Sequence, residues 1–257
     1  MPVTGVNGMS EAKTTDFGFQ SIATEEKAGR VDEVFSSVAS RYDLMNDVMS
    51  IGVHRLWKRY AIYLSGVRAG HHVLDVAGGT GDMAMLLARK VGPSGSVTIC
   101  DINQDMLRHG RDRFIDAGIL EGIEFVQGNA ECLPFGRNNF DCVTIAFGLR
   151  NVTDKTAALA SMYDKLKYGG RIMILEFSSV VIPVLREFYD AYSFRLIPWF
   201  GKIIAGDKAS YQYLVESIRM HPAQDRLAAM LESAGFCMVD YLNLSGGIVA
   251  IHRGYKI

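Results

Sequence analysis

Apolar positions along the chain fall into two rhythms, one helical and one extended. Between Glu26 and Tyr42 the residues Val31, Val34, Phe35, Val38 and Tyr42 recur at steps of three and four, which places them on one helical face and predicts a helical N-terminal cap over residues 17–66. From His72 onward, short apolar runs alternate with helical stretches. Residues 73–77, 97–101, 123–127, 141–147 and 171–177 read as strands; 82–90 carries Met83, Leu86 and Leu87 at helical spacing, and 155–167 carries Leu159, Met162 and Leu166. Such alternation implies an α/β fold with a doubly wound, mostly parallel sheet covered on both faces. A further helix is expected from His221-Pro222 through Leu227, Met230 and Leu231 to Gly235. Two final strands, 236–242 and 247–253, are joined by a turn at 243–246 and must be antiparallel, so the expected seven-stranded sheet ends in a reversed strand.

Residues 182–213 break this rhythm with Phe188, Tyr189, Tyr192, Phe194, Trp199, Phe200, Tyr211 and Tyr213 set among basic residues. Lying after the fifth strand, beside the carboxyl ends where open α/β sheets bind ligands, the segment reads as an inserted substrate lid. A helical pair whose aromatics fill a satellite core is the competing reading. Residues 1–16 are rich in Gly, Thr, Ser and charge and read as a flexible leader without the apolar run of a secretory signal. No apolar run reaches the roughly 18 residues a spanning helix needs, so any membrane contact is expected to be peripheral.

Composition narrows the functional classes. With 257 residues, 49% of them hydrophobic and 21% charged, the chain can bury one sizeable core. A net charge of -1 provides no basic field for nucleic acid. Cys100, Cys132, Cys142 and Cys237 are dispersed, which signals neither zinc nor disulfides and fits a reducing, cytoplasmic compartment.

The candidate chemistry begins at Val73-Leu-Asp-Val-Ala-Gly-Gly-Thr-Gly-Asp82. Gly79-Thr80-Gly81 followed by Met83-Ala84 satisfies a dinucleotide-binding pattern, and Asp101 follows about 20 residues on, where a carboxylate accepts ribose hydroxyls. NAD and S-adenosylmethionine share that need. Asp75, four residues before Gly79, opposes a pyrophosphate but suits a ligand bearing an ammonium and a sulfonium. Asn129-Ala130, after the third strand, can read an adenine edge through an amide and a backbone donor. Together these favour S-adenosylmethionine over an NAD-dependent oxidoreductase. The structural alternatives are that Asp75 ties down the loop, that Asp101 or Asn103 caps the next helix, and that Asn129 is a turn residue.

With those residues placed, the chain closely resembles the ubiquinone/menaquinone biosynthesis C-methyltransferase family over residues 16–256. The likeness is carried by Asp16-Phe-Gly-Phe-Gln20, Val34-Phe-Ser-Ser-Val-Ala-Ser-Arg-Tyr-Asp43, Met45-Asn-Asp47, His54-Arg55, Trp57-Lys58 and Ala77-Gly-Gly-Thr-Gly-Asp82. It continues through Asp101-Ile-Asn103, Gly128-Asn-Ala-Glu131, Phe147-Gly-Leu-Arg-Asn-Val-Thr-Asp154, Ser210-Tyr-Gln-Tyr-Leu214, Glu216-Ser-Ile-Arg219, His221-Pro222 and His252-Arg-Gly-Tyr-Lys256. The resemblance implies a Rossmann-like methyltransferase fold and C-methylation of a polyprenylated benzoquinol or naphthoquinol by S-adenosylmethionine. Thr80, Asp101, Asn129 and Ala130 would bind the cofactor. A contact often made in the family by Ser falls on Ala146, which lacks the hydroxyl; Tyr168 and Gly136-Arg137 are smaller departures in turns.

C-methylation needs an electron-rich ring carbon, which a quinol supplies once an adjacent hydroxyl ionises. Arg150 is the expected cation for that ionised oxygen, Asn151 would orient it, and Tyr42 would complete the hydrogen-bond chain. Each has a structural rival: Arg150 paired with Asp154 or Glu176, Asn151 capping the next helix, and Tyr42 packed in the cap. His54 and His221 are weaker base candidates. A prenyl tail further implies membrane contact, for which residues 196–204, with Trp199 and Lys202, are the expected surface at the inner membrane face. A homodimer and a quinone-synthesis complex both stay open, as does a non-catalytic subunit that only binds S-adenosylmethionine.

Overall fold

The computed structural model describes residues 14–38, 46, 47, 50, 52–183, 189 and 208–257. Tyr42 and residues 196–204, hence Trp199 and Lys202, lie outside them, as does most of the expected lid.

A short hairpin opens the described chain, β1 (Thr14–Phe17) and β2 (Gln20–Ala23), followed by helix α1 (Thr24–Val38). The hairpin was not expected, because four-residue polar strands carry too little alternation to register. Its turn needs Gly18, which sits at φ +59°, a conformation that favours glycine. The Phe19 N–H donates to Glu216 Oε2 at 3.1 Å, and the Phe17 ring stacks on Tyr213 with centroids 4.2 Å apart. Residues 14–16, expected in the leader, are therefore part of a pinned strand.

Helix α2 (His54–Leu64) precedes the main sheet. Strands β3 (His72–Val76), β4 (Ser96–Asp101), β5 (Ile123–Gln127), β6 (Phe140–Ala146) and β7 (Leu166–Phe177) pair in parallel. Strands β8 (Cys237–Leu244) and β9 (Val249–Tyr255) complete the order β5-β4-β3-β6-β7-β9-β8. β9 is antiparallel to both β7 and β8, so the reversed strand lies one place in from the sheet edge rather than at it. The hairpin carries the chain from the outer β8 back into the gap beside β7, which a sequence pattern alone does not reveal.

Alternation along the strands divides the core into two layers. Val73, Val97, Ile99, Met173 and Leu175 pack with Trp57 and Ala61 of α2, with Met83 and Leu87 of α3 (Asp82–Val91), and with Leu107 and Phe114 of α4 (Gln104–Asp116). Leu74, Val76, Val143, Ile145 and Ile174 face the opposite way, onto Leu159 and Met162 of α5 (Lys155–Lys165). Past α6 (Lys208–Met220), α7 (Gln224–Ser233) adds Leu227 and Leu231 to that second layer. Each such side chain taken fully out of water contributes roughly 1.5–3 kcal/mol, which is why the central strands are apolar on both faces.

Two boundaries differ from expectation. α5 stops at Lys165, and Leu166 already belongs to β7, whose pairing partner Phe140 captures it. α7 starts after Ala223 rather than at Pro222, because Ala223 is the first flanking residue and His221 is bonded back to Ile218 of α6. Tyr211 and Tyr213, from the expected lid, fall within α6 and are buried in the first core layer.

Replacing Glu216 with Ala is expected to free the hairpin without unfolding the sheet: cleavage by a protease within residues 14–23 should rise severalfold, while global stability falls by only about 1 kcal/mol.

Candidate active site

β3, β4 and β5 step outward in one direction, and β6 then returns to the other side of β3. This reversal leaves a crevice at the carboxyl ends of the strands. A cleft occupies it, lined by Ala77 and Gly79 after β3, Asp101 and Asn103 after β4, Gly128 to Glu131 after β5, and Phe147, Gly148 and Asn151 to Thr153 after β6. α1 supplies the facing wall through Ala28, Val31, Asp32 and Phe35. Two non-glycine residues of the lining, Ala77 and Phe147, hold φ at +49° and +56°. Backbone kept in that region against steric cost is a mark of functional sites.

The glycine turn is organised by carboxylates. Asp101 Oδ2 accepts the Gly79 N–H at 2.8 Å, and its Oδ1 accepts the Asn103 N–H at 2.9 Å. Burial raises the Asp101 pKa even though these backbone donors favour its anion. Gly79 itself takes φ +54°, and a Cβ there would come within 2.9 Å of Met106 Cε. With no side chain at Gly79, the turn brings backbone to the edge of the cleft beside a carboxylate, as a ribose-bearing ligand requires.

Asp75 lies beneath this turn at 1% exposure. Its Oδ1 accepts a 2.6 Å hydrogen bond from Thr144, while Oδ2 has no partner among the described residues and lies 3.0 Å from where a Cβ on Gly78 would sit. Burial pushes its pKa up to about 7, against the pull of Thr144 and Lys58. Asp101 and Asp82 nearby push it further up. An unpaired buried carboxylate oxygen is costly, and a ligand carrying positive charge relieves that cost. Asp75 does not itself line the cleft, so its bias toward a positively charged ligand such as S-adenosylmethionine, and against a pyrophosphate, acts through the glycine turn above it.

The other expected cofactor residues separate into two groups. Asn129 and Ala130 line the cleft, with Asn129 Oδ1 accepting the Glu131 N–H at 2.9 Å, so the turn role and the lining role coexist. Thr80 and Gly81 stand behind the turn instead. Thr80 is 4% exposed and its Oγ1 accepts from Arg113 at 2.8 Å, while a Cβ on Gly81 would meet Phe114 at 2.6 Å. Arg113 also pairs with Asp82, which binds Lys58 at 2.9 Å; burial works against ionisation of Asp82, yet the two cations hold its pKa down to about 2. No local sequence signal announces this Lys58–Asp82–Arg113 brace, since its members come from three helices. Ala146 packs against the core at the end of β6.

Asn103 caps α4 by accepting the Met106 N–H at 2.7 Å. Its amide also donates to Asp32 and Ser36, both at 2.8 Å through side-chain oxygens, which fastens α1 over the cleft. The sequence places Val31 and Phe35 on a buried helical face but does not show that this face closes a ligand site.

Arg150 does not line the cleft. It is 3% exposed, its Nη1 donates to Glu176 Oε1 at 2.8 Å and to the Phe147 carbonyl at 2.5 Å, and its own N–H donates to Glu176 Oε2 at 3.2 Å. The pairing with Glu176 named above as its structural rival is therefore formed, as the apolar surroundings demand for a charge. Asn151, the next residue, does line the cleft, and its Oδ1 accepts from Tyr213 at 3.1 Å. Asp154, not Asn151, caps α5, accepting the Ala157 N–H at 2.9 Å. His54 is held by Asp47 at 2.9 Å. His221 is 8% exposed with neither ring nitrogen bonded among the described residues, and burial, with Lys155 and Arg150 nearby, drives its pKa well below the usual value. No cluster suited to a metal ion occurs among the described residues.

The raised Asp75 pKa gives a signed stability prediction. A carboxyl whose folded pKa exceeds its unfolded value of 3.8 contributes stability below pH 4 that is lost as pH rises through about 7. Asp75→Asn removes that loss, so its thermal midpoint relative to the parent should be higher at pH 8 than at pH 5; a pH-independent difference would contradict the assignment.

The arrangement matches known proteins at two levels. A SAM-dependent methyltransferase from Aquifex aeolicus shares the fold with a TM-score of 0.62 at 15% identity, covering 84% of this chain and 98% of that one. A Thermotoga maritima structure described as a SAM-dependent methyltransferase, possible histamine N-methyltransferase, gives 0.63 at 18% identity, covering 88% and 99%. In sequence, the ubiquinone/menaquinone biosynthesis C-methyltransferases of Escherichia fergusonii and Shigella boydii are each 58% identical over 244 residues, spanning 95% of this chain and 97% of theirs. The model of the ubiE/COQ5 methyltransferase family matches residues 23–256, and the chain belongs to that family.

Proposed function

We propose that this protein is an S-adenosylmethionine-dependent C-methyltransferase that methylates the ring of a polyprenylated benzoquinol or demethylmenaquinol in ubiquinone and menaquinone biosynthesis. One observation carries the reading: a single cleft runs without interruption from the Asp101-bound glycine turn to Asn151 and Phe147. A cofactor at the turn and an acceptor at Asn151 would then share one cavity, as direct transfer between two bound molecules requires. No helix among the described residues is long and apolar enough to cross a membrane.

Bound at the glycine turn, S-adenosylmethionine supplies an electrophilic methyl group carried on a sulfonium. Asp101 beside Gly79 would hold the ribose end, Asn129 and Ala130 would meet the adenine, and Asp75, beneath the turn, would favour the cationic end. α1 closes the wall through Val31 and Phe35 and excludes water, which strengthens every polar contact inside. Asn151 directs the quinol oxygen through its amide. Arg150 acts through that residue: its ion pair with Glu176 and its bond to the Phe147 carbonyl set the 147–151 turn, so it positions Asn151 rather than touching the ring.

Supplied with methyl-labelled cofactor and a short-tailed quinol, the protein should place the label on a ring carbon, as mass spectrometry of the fragmented product reads. Asn151→Ala should cut turnover by about 10–100-fold while S-adenosylhomocysteine still binds. Label found on oxygen, or full turnover in the variant, would overturn the reading or the Asn151 role respectively.

A further inference from the structure

Asn151 meets the cleft with one side-chain group unspent. Its backbone N–H donates to the Gly148 carbonyl at 3.1 Å, and its Oδ1 accepts from the Tyr213 hydroxyl at 3.1 Å. Its Nδ2 makes no hydrogen bond among the described residues and is not closed off from the cleft that Asn151 lines. Tyr213 reaches this point from α6, 62 positions away in sequence. It is buried, and its ring stacks on Phe17 of the hairpin with the two planes 21° from parallel.

The burial of Tyr213 decides which way the amide points. A phenol oxygen carries one hydrogen, and Asn151 is the only hydrogen-bond partner of that hydroxyl among the described residues. With Oδ1 turned toward Tyr213, the hydrogen is used. With the amide reversed, Nδ2 would donate to the phenol oxygen and leave a buried O–H without an acceptor, which is the costlier arrangement. Burial, opposed by Arg150, pushes the Tyr213 pKa above its ordinary value, so the hydrogen stays in place at neutral pH. Nδ2 is therefore the end of the amide presented to the cleft, which meets N–H donors there and no acceptor.

Such donors discriminate between the two states of a ring hydroxyl. A neutral hydroxyl gains a modest bond from an amide N–H, an ionised oxygen a shorter and stronger one. We propose that Tyr213 is a positioning residue for methyl transfer: by holding Oδ1 it turns the Nδ2 of Asn151 onto the acceptor's ring oxygen, so that the site favours a ring whose oxygen ionises. The inference rests on the quinol reading above. The hydroxyl proton leaves to solvent, the oxygen keeps the electron pair, and neither Tyr213 nor Asn151 gains or loses a proton.

A double-mutant cycle separates this role from a merely structural one. Tyr213→Phe keeps the ring and its stack on Phe17 but removes the hydroxyl. It should lower kcat on a short-tailed quinol about tenfold, with S-adenosylhomocysteine affinity within about twofold of the parent. In an Asn151→Ala background the same change should alter kcat by less than about twofold, because the group it orients is gone. A second readout needs no turnover. A nitrophenol bearing a short alkenyl chain, bound to the S-adenosylhomocysteine complex at pH 7, should show a higher anion-to-phenol ratio than in free solution, and Tyr213→Phe and Asn151→Ala should each lose most of that increase. Equal loss of kcat in both backgrounds, or an anion ratio that Tyr213→Phe leaves unchanged, overturns the positioning role and leaves the quinol reading standing. Phenol bound to the parent with no increase in its anion overturns it as well. Failure of the parent to bind the phenol or to methylate any quinol removes the acceptor site, and both readings fall together.

Discussion

Two carboxylates at the ends of adjacent strands, one buried and one at the cleft, are the constraint on which this site is built. Asp75 and Asp101 sit on β3 and β4, two parallel neighbours, and the parallel register brings them to the same glycine turn. Asp75 cannot be solvated there, Asp101 is half-buried, and they repel each other when both are ionised. Asp101 is satisfied by the backbone of Gly79 and Asn103, but Asp75 keeps one oxygen without a partner among the described residues. The pocket is therefore biased toward a ligand that brings positive charge, before any specific contact is considered.

The rest of the molecule supports that bias from outside. Lys58 and Arg113 clamp Asp82 and, through Thr80, the rear of the turn. Asn103 joins the cofactor side to α1, so the helix that walls the acceptor is fastened by the residue that caps α4. Across the sheet, Arg150 and Glu176 form a buried pair at 2.8 Å. Removing either partner strands the other's charge, at about 3–5 kcal/mol, so this pair holds the 147–151 turn in one shape. Rigid carboxylates on one side and a rigid turn on the other define the distance between cofactor and acceptor.

Much of this was legible in the residues themselves. The alternating apolar strands dictate a doubly wound sheet, and the position of Asp75 relative to Gly79 distinguishes the cofactor, because both follow from local spacing and charge. What escaped were relations between distant elements. The reversed strand's inner position depends on how β8 and β9 pass β7, and the hairpin at residues 14–23 depends on Glu216 almost 200 positions away. The direction of Arg150 is another such case: its sequence context suits a catalytic cation equally well, and only the burial of Glu176 beside it decides the matter. Thr80 and Gly81 belong to the same glycine motif as Gly79, yet Arg113 and Phe114 of α4 turn them into supports.

The central claim, that buried carboxylate charge selects a cationic cofactor, is tested most directly by counting protons during binding. Burial raises the Asp75 pKa to about 7, so it holds its proton far above the usual carboxylate range. Calorimetric titration with S-adenosylhomocysteine, which carries an ammonium, at pH 7 in buffers of different ionisation enthalpy should reveal net proton release on binding. Asp75→Asn should bind the same ligand more weakly and release almost none. Equal proton release from parent and variant, or none from either, would contradict the account.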